Sequence, residues 1–199
     1  MAARLFDERG FARTRAEDIA AALNIAKPTL YTRTAGKSAL LEAVIDRVIS
    51  ALGEQAQAVL DADGTPGQRL EALFSHHVRQ AIQYRSYFNV FFRDDRELPP
   101  RARARFRRWA RDYTSRLTGL VEHAMAAGEV DPALDAEMVA ISFLATANWV
   151  CRWYVDGKRL SPDEVVAETW RVLASGLSPR AAAPRSSPTN GEQTRRSKA

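Results

Sequence analysis

Leu70, Leu73, Phe74, His77, Val78, Ala81 and Ile82 recur at i, i+3, i+4 and i+7, the spacing that gathers side chains along one side of an α-helix. No useful length of the chain alternates apolar and polar residues as a half-buried strand would. The period therefore predicts an all-α fold up to about residue 176, with apolar stripes that must pack on one another to leave water.

Local signals divide this run into helices. Thr14-Arg-Ala-Glu17 has the form of a capping box, with Thr14 accepting from the Glu17 amide. Ile19, Ala20 and Leu23 give a short apolar face that ends at Asn24, a residue tolerant of left-handed backbone. Lys27-Pro28 opens a second short helix, with proline in the first turn where its missing N–H is harmless. That helix ends near Ala35-Gly36, and Lys37 or Ser38 starts a longer one carrying Leu40, Leu41, Val44, Ile45, Val48 and Leu52. A break at Asp61 to Gly67 precedes the helix of the stripe, Pro66 to about Tyr84. Beyond a short aromatic segment, Tyr87 to Phe92, further helices are expected from Pro99-Pro100 to about Ala127 and from about Leu134 to Val155. A last one should run from Ser161-Pro162 to about Ser175, with Gly176 as its cap.

The bulk numbers narrow the function. A chain of 199 residues, 46% hydrophobic and 27% charged, suits one domain or a small domain fused to a larger one. It has no apolar run of membrane-spanning length, and charges at Arg4, Asp7, Glu8 and Arg9 leave no signal-peptide core. Its single cysteine, Cys151, excludes a disulfide framework and a cysteine-clustered zinc site. A cytoplasmic protein is the simplest reading. The net charge of +5 is uneven. Eight arginines crowd residues 93–111 against Asp94, Asp95 and Glu97, and five cations in residues 178–199 face Glu192 alone. That tail, rich in Pro, Ser, Arg and Ala, is expected to be disordered, with a minor role as a nonspecific polycation on DNA. No cofactor or metal is expected. His76, His77 and His123 form no HExxH spacing, and neither a nucleophile elbow nor a phosphate loop occurs. An enzyme is disfavoured. His77, on the apolar stripe, reads as a satisfied core histidine.

Two short helices joined tightly, the second too polar on one side to be core, form a helix-turn-helix pattern. The second helix would present Lys27, Pro28, Thr29, Tyr31, Thr32 and Arg33 to a major groove, with Leu23, Ile25 and Leu30 holding the pair together. Lys27 suits guanine O6/N7, and the Pro28 ring and Thr29 methyl suit thymine methyls. Tyr31 and Thr32 suit phosphates or methyls, which position the helix more than they specify sequence. Lys37 adds a cation at a helix start whose amides already favour phosphate. Any helical hairpin with a solvated polar face would show the same pattern.

Specific residues separate the two. "LFDERGFARTRAEDIAAALNIAKPTLYTRTAGKSALLEAVIDRV" resembles the DNA-binding domain of the TetR family of transcriptional repressors over about residues 3–48. The marks are the Glu-Arg-Gly-Phe turn after Leu5-Phe6, Thr14, Asp18-Ile19-Ala20, Pro28-Thr29-Leu30-Tyr31, and Gly36-Lys37 before Leu40-Leu41. The resemblance implies phosphate contacts from Thr14, Tyr31 and Lys37. It also implies a dimer on a palindromic operator, and a second site whose ligand changes DNA affinity. Two departures stand out. Thr34 occupies a place where the family usually has an aromatic residue, and the first helix is about two turns shorter than usual. Either the native start lies upstream of Met1, or fewer phosphate contacts are made.

The rest of the helical chain carries the sensor expectation. Phe88, Phe91, Phe92 and Tyr113 are candidate ligand contacts, although aromatic stripes at this spacing usually pack as core. In Asn148-Trp149-Val150-Cys151-Arg152-Trp153, the amide of Asn148, the Arg152 guanidinium and the indoles of Trp149 and Trp153 suit an apolar ligand with an anionic or carbonyl group. An Arg152–Asp156 surface pair is the blander account. The segment is loosely similar to TetR-like regulators that respond to acyl-CoA thioesters, including those of fatty-acid or steroid-ring breakdown. The arginines from Arg101 to Arg111 would then meet a CoA phosphate or, more simply, line a solvated face. The helix from Leu134 and the last helix, with Val165, Val166, Trp170, Val172 and Leu173, are expected to form a four-helix homodimer interface.

The expectation is thus a DNA-binding domain over 1–48, a ligand-binding and dimerisation domain over 49–177 and a tail over 178–199. Its function would be that of a dimeric repressor released by a small apolar effector such as an acyl-CoA. A helical ligand-binding adaptor that has lost DNA binding is the alternative.

Overall fold

Several helices of this molecule begin where a side chain or a proline relieves the unpaired amides of the first turn. The computed structural model describes residues 1–179. Among them, α1 spans Ala2–Arg9, α2 Ala16–Ala22, α3 Lys27–Arg33, α4 Lys37–Leu60 and α5 Pro66–Gln83. They are followed by α6 (Arg85–Asp94), a 3-10 turn at Asp95–Glu97, α7 (Pro100–Ala126), α8 (Ala136–Trp153) and α9 (Pro162–Leu177). No strand occurs among the described residues, so the chain is all-α as expected. Thr65 and Ser161 cap α5 and α9 through reciprocal boxes with Gln68 and Glu164, each followed by a proline. Asn24 takes the left-handed conformation anticipated for it, φ 53°. Gly176 does not end a helix: α9 runs through it to Leu177, whose carbonyl accepts the Asp131 amide at 2.8 Å. The tail expected to be disordered lies, from residue 180 on, outside the described residues.

The stripe on α5 is buried as its period requires, and α5 packs against α4, α7, α8 and α9 at the centre of the body. The body core joins Leu70, Leu73, Phe74 and Val78 to Leu117, Val121, Phe143 and Val165, with Phe74 edge-on to Phe143 at 5.1 Å. A smaller core binds α1, α2 and α3 to the start of α4 through Phe6, Phe11, Ile19, Leu30 and Leu41, and reaches Val90 of α6, Leu98 after the 3-10 turn and Ala102 of α7. Helix α4 belongs to both. At 24 residues it is about 36 Å long, and it passes without interruption from the small core to the large one.

Candidate nucleic-acid interface and effector cavity

The α2–α3 pair is set by backbone chemistry at its corners. Asp18 accepts the Arg15 amide at 2.7 Å, so Arg15, not Thr14, is the N-cap of α2. Thr14 is fully buried, and its hydroxyl faces the carbonyls of Gly10 at 2.8 Å and Leu5 at 3.3 Å. It closes the α1–α2 turn, and its side chain is withdrawn from any phosphate. The capping pattern misled because Thr14-Glu17 and Arg15-Asp18 offer neighbouring registers, and burial of the hydroxyl selects the second.

Helix α3 has one buried residue, Leu30. Lys27, Pro28, Tyr31, Thr32 and Arg33 are exposed and Thr29 is half-buried, so the six expected groove-facing residues share an open surface. Ile25 packs on the small core beside Leu30, whereas Leu23, expected to help, is largely exposed. Lys27 forms an exposed ion pair with Glu17, which holds the Glu17 carboxyl below its usual range. Thr32 donates its hydroxyl to the Thr29 carbonyl at 2.9 Å. Thr34, in place of an aromatic, turns its hydroxyl back onto the Leu30 carbonyl at 3.2 Å as α3 ends. Lys37 also points inward in part: Nζ donates to the Phe11 carbonyl at 2.8 Å and lies 4.2 Å from the centre of the Phe11 ring. The joint between α3 and α4 is Gly36, at φ 95° and ψ −173°, a conformation that side chains avoid.

Helix α6 clasps the end of α1. The Arg93 guanidinium donates to the carbonyls of Phe6 and of Asp7, the latter at 2.9 Å, and pairs with Asp94 at 2.9 Å. Asp94 in turn accepts the Phe11 amide at 3.4 Å, and Asn89 donates to Asp7 at 3.3 Å. Of these groups, Arg93 gives the Asp7 carbonyl in the last turn of α1 a partner and adds a second donor to the Phe6 carbonyl, which already accepts the Gly10 amide at 2.8 Å. Nothing in the sequence marked them, since the Arg93-Asp94 pair lies in an arginine-rich stretch where charge looks like solvation.

On its other side α6 faces a cavity of about 350 Å³. Phe88, Phe91 and Phe92 line it, with Val48 and Leu52 of α4, Phe106, Trp109 and Tyr113 of α7, and Asn148 of α8. Phe91 and Phe106 lie 4.4 Å apart, and Trp109 stacks on Tyr113 at 5.3 Å. His77 joins the wall, so it is both core and site. Its Nε2 meets Asn148 Oδ1 at 2.8 Å and its Nδ1 meets the Tyr113 hydroxyl at 3.3 Å. Burial pushes the imidazole down to about 4, only partly offset by the bond to Asn148. Burial also raises the Tyr113 phenol.

Trp149, Arg152 and Trp153 do not reach the cavity. They are exposed, with the guanidinium of Arg152 5.7 Å from the Trp149 ring centre. The inward side of α8 is Val139, Ala140, Phe143, Ala147 and Val150, and Asn148 sits at its edge. Asp156 bonds the Tyr154 hydroxyl at 3.2 Å and does not pair with Arg152. The outward side of α8 carries Leu134 just before it, then Met138, Ile141, Trp149 and Trp153, with Val172 of α9 71% exposed nearby. Leu134, Met138 and Val172 line a groove of about 390 Å³ between the two helices. Val165 and Val166, expected in an interface, are buried in the body core, and Trp170 leans on Phe74 at 5.4 Å. In the arginine run, Arg105 pairs with Asp46 at 2.6 Å and Arg103 donates to the Leu98 carbonyl at 3.1 Å. Cys151 is buried behind the cavity beside Phe88, its thiol donating to the Asn148 carbonyl and pushed up to about 11 by burial. Among the described residues no group of three His, Cys, Asp or Glu is placed to hold a metal.

Residues 1–44 match the family described as bacterial regulatory proteins, tetR family, and residues 63–177 match tetracyclin repressor-like, C-terminal domain. Over 182 residues, 89% of this chain and 87% of the relative, the sequence is 26% identical to the HTH-type transcriptional repressor KstR2 of Mycolicibacterium smegmatis. The fold is similar to that of the ketosteroid transcriptional regulator KstR2 of Mycobacterium tuberculosis, with a TM-score of 0.84 at 20% identity over 90% of this chain and 92% of that one. It is also similar to AibR in complex with isovaleryl coenzyme A and operator DNA, with a TM-score of 0.78 at 24% identity over 90% and 95% of the two chains.

Proposed function

The chain belongs to the TetR family of bacterial regulatory proteins, and from that premise we propose that it is a homodimeric repressor released from a palindromic operator by a small apolar effector. The carrying observation is α3, a helix with one buried residue that offers Lys27, Pro28, Thr29, Tyr31, Thr32 and Arg33 together to a groove. Tyr31 and Arg33 are the phosphate and base contacts best placed to act without rearrangement. Lys27 must first leave Glu17, and Lys37 the Phe11 carbonyl. We assign DNA reading to residues 1–48 and effector binding and dimerisation to 49–177. The partner copy covers the outward side of α8 and α9, where Met138, Trp149 and Val172 would otherwise face water.

The effector enters the cavity among Phe88, Phe91, Phe92, Tyr113 and Asn148. Two of its walls lead to the reading head: α4 begins beside α3, and α6 holds α1 through Arg93. A ligand that fits better when these helices shift lowers operator affinity by that difference in binding energy. An acyl-CoA thioester is the effector class we favour, in keeping with the isovaleryl coenzyme A named for AibR. Among the described residues no helix is long and apolar enough to cross a membrane, and a cytoplasmic regulator without catalytic activity fits this reading.

The test is binding to DNA from the protein's own upstream region at two salt concentrations, with and without acyl-CoA. Steep loss with salt reports phosphate contacts, and release by the thioester supports the effector class. Salt-sensitive binding indifferent to the thioester keeps the repressor and rejects that class. The inward bonds of Thr14 and Lys37 favour one second reading, an adaptor that no longer binds DNA, and no binding at low salt would select it.

A further inference from the structure

The polar corner of the cavity has a fixed sense of donation. His77 is buried and uncharged at neutral pH, so one ring nitrogen carries a proton and the other a lone pair. Asn148 Oδ1 only accepts, which places the proton on Nε2. Nδ1 then accepts, and the Tyr113 hydroxyl supplies the proton. With the amide oxygen of Asn148 toward His77, the relay runs from Tyr113 through His77 to Asn148. Asn148 Nδ2, with two protons, is left without a protein partner among the described residues, at the cavity wall. Around it the lining is mainly aromatic and aliphatic, and the hydroxyl of Thr114 is spent on the Ala110 carbonyl at 2.9 Å. The one carboxylate of the lining is Asp95, and no Lys or Arg lines the cavity with it.

We propose that the cavity selects a neutral carbonyl compound, whose oxygen accepts from Asn148 Nδ2 and whose apolar body lies among Phe88, Phe91, Phe92 and Phe106. This rests on the reading of the cavity as the effector site and narrows its chemistry. A free carboxylate is refused on two counts: it would shed its hydration without gaining a cation, and it would face Asp95.

Four probes of nearly equal size separate the possibilities: acetophenone, ethylbenzene, benzoate and phenyltrimethylammonium, titrated by NMR into the full chain and into Asn148→Asp. The substitution keeps an acceptor for His77 Nε2–H and removes the donor to the cavity. Acetophenone should bind the unaltered chain at least tenfold more tightly than benzoate, and should lose about tenfold in Asn148→Asp while ethylbenzene changes less than twofold. Benzoate binding as well as acetophenone, tighter capture of the ammonium, or an equal loss for ketone and hydrocarbon in the variant would each overturn the proposal. The comparison of probes on the unaltered chain decides even if the variant does not fold. Operator binding measured on the same samples separates the two readings. DNA binding without ketone selectivity overturns the carbonyl site alone, and ketone selectivity without DNA binding overturns the repressor and leaves the site.

Discussion

The two ends of α4 lie in regions where apolar packing and polar tethers contribute in different proportions. Around its C-terminal half, large side chains from five helices interdigitate, and Phe74, Leu117, Phe143 and Val165 are almost wholly out of water. Around its N-terminal end stand three helices of seven or eight residues, too short to persist alone in water. A small apolar core of Phe6, Ile19, Leu30 and Leu41 holds them, supplemented by polar tethers to backbone atoms: Thr14 to Gly10, Lys37 to Phe11, Arg93 to Phe6 and Asp7. Apolar packing resists displacement in every direction, whereas a hydrogen bond to a carbonyl fixes one position and is lost when that position shifts. The body is thus suited to holding a cavity open, and the head to being set or released.

The contrast can be broken from the body side most forcefully. Phe74→Ala removes a ring that touches Phe143 and Trp170 and should cost about 3–5 kcal/mol, read as a large fall in denaturation midpoint. Acid attacks the same region through His77. Its value of about 4 in the folded chain lies below the ordinary 6.5, so the unfolded chain binds the extra proton. Stability is then intact above pH 6.5 and declines as pH falls toward 4, by about 3 kcal/mol in total. Denaturant midpoints across that range should show the slope, and His77→Gln should flatten it.

Changes in the head should be smaller and local. Arg93→Ala removes a donor to the Phe6 and Asp7 carbonyls and the cation beside the buried Asp94, at a cost of about 1.5–3 kcal/mol. Hydrogen exchange should quicken over residues 2–14 while α5 and α8 keep their protection. An equal change in both regions would erase the distinction between them. Gly36→Ala forces a side chain into a backbone region reserved for glycine and should cost about 1–3 kcal/mol, although its methyl would meet nothing within 4 Å. Operator affinity should fall more than the thermal midpoint of the body.

The same division explains what could be read from sequence. Periodicity placed α5 and the buried face of α4, because burial there depends on one helix presenting one stripe. Asn24 and Pro28 announced their turns through their own backbone preferences. Facing was harder. Trp149 and Trp153 do share a side of α8, but spacing alone does not say whether that side looks inward, and Phe143, Ala147 and Val150 took the interior. Phe88, Phe91, Phe92 and Tyr113, read from sequence as candidate ligand contacts, meet at the cavity, while His77 was assigned only to the core, because its partners Tyr113 and Asn148 lie 36 and 71 residues away. Thr14 was misplaced for a related reason: a hydroxyl that fits a capping register was claimed by two carbonyls of the preceding turn.

Cys151 gives this molecule a built-in clock. It is the only thiol in the chain, it sits behind the cavity against Val48, Leu52 and Phe88, and burial both shields it and keeps it protonated. An alkylating reagent added at neutral pH therefore labels it only during excursions in which α8 lifts from α4 and α6. The labelling rate counts those excursions without any engineered probe, and slower labelling in the presence of a compound would report that the compound occupies the space those helices enclose.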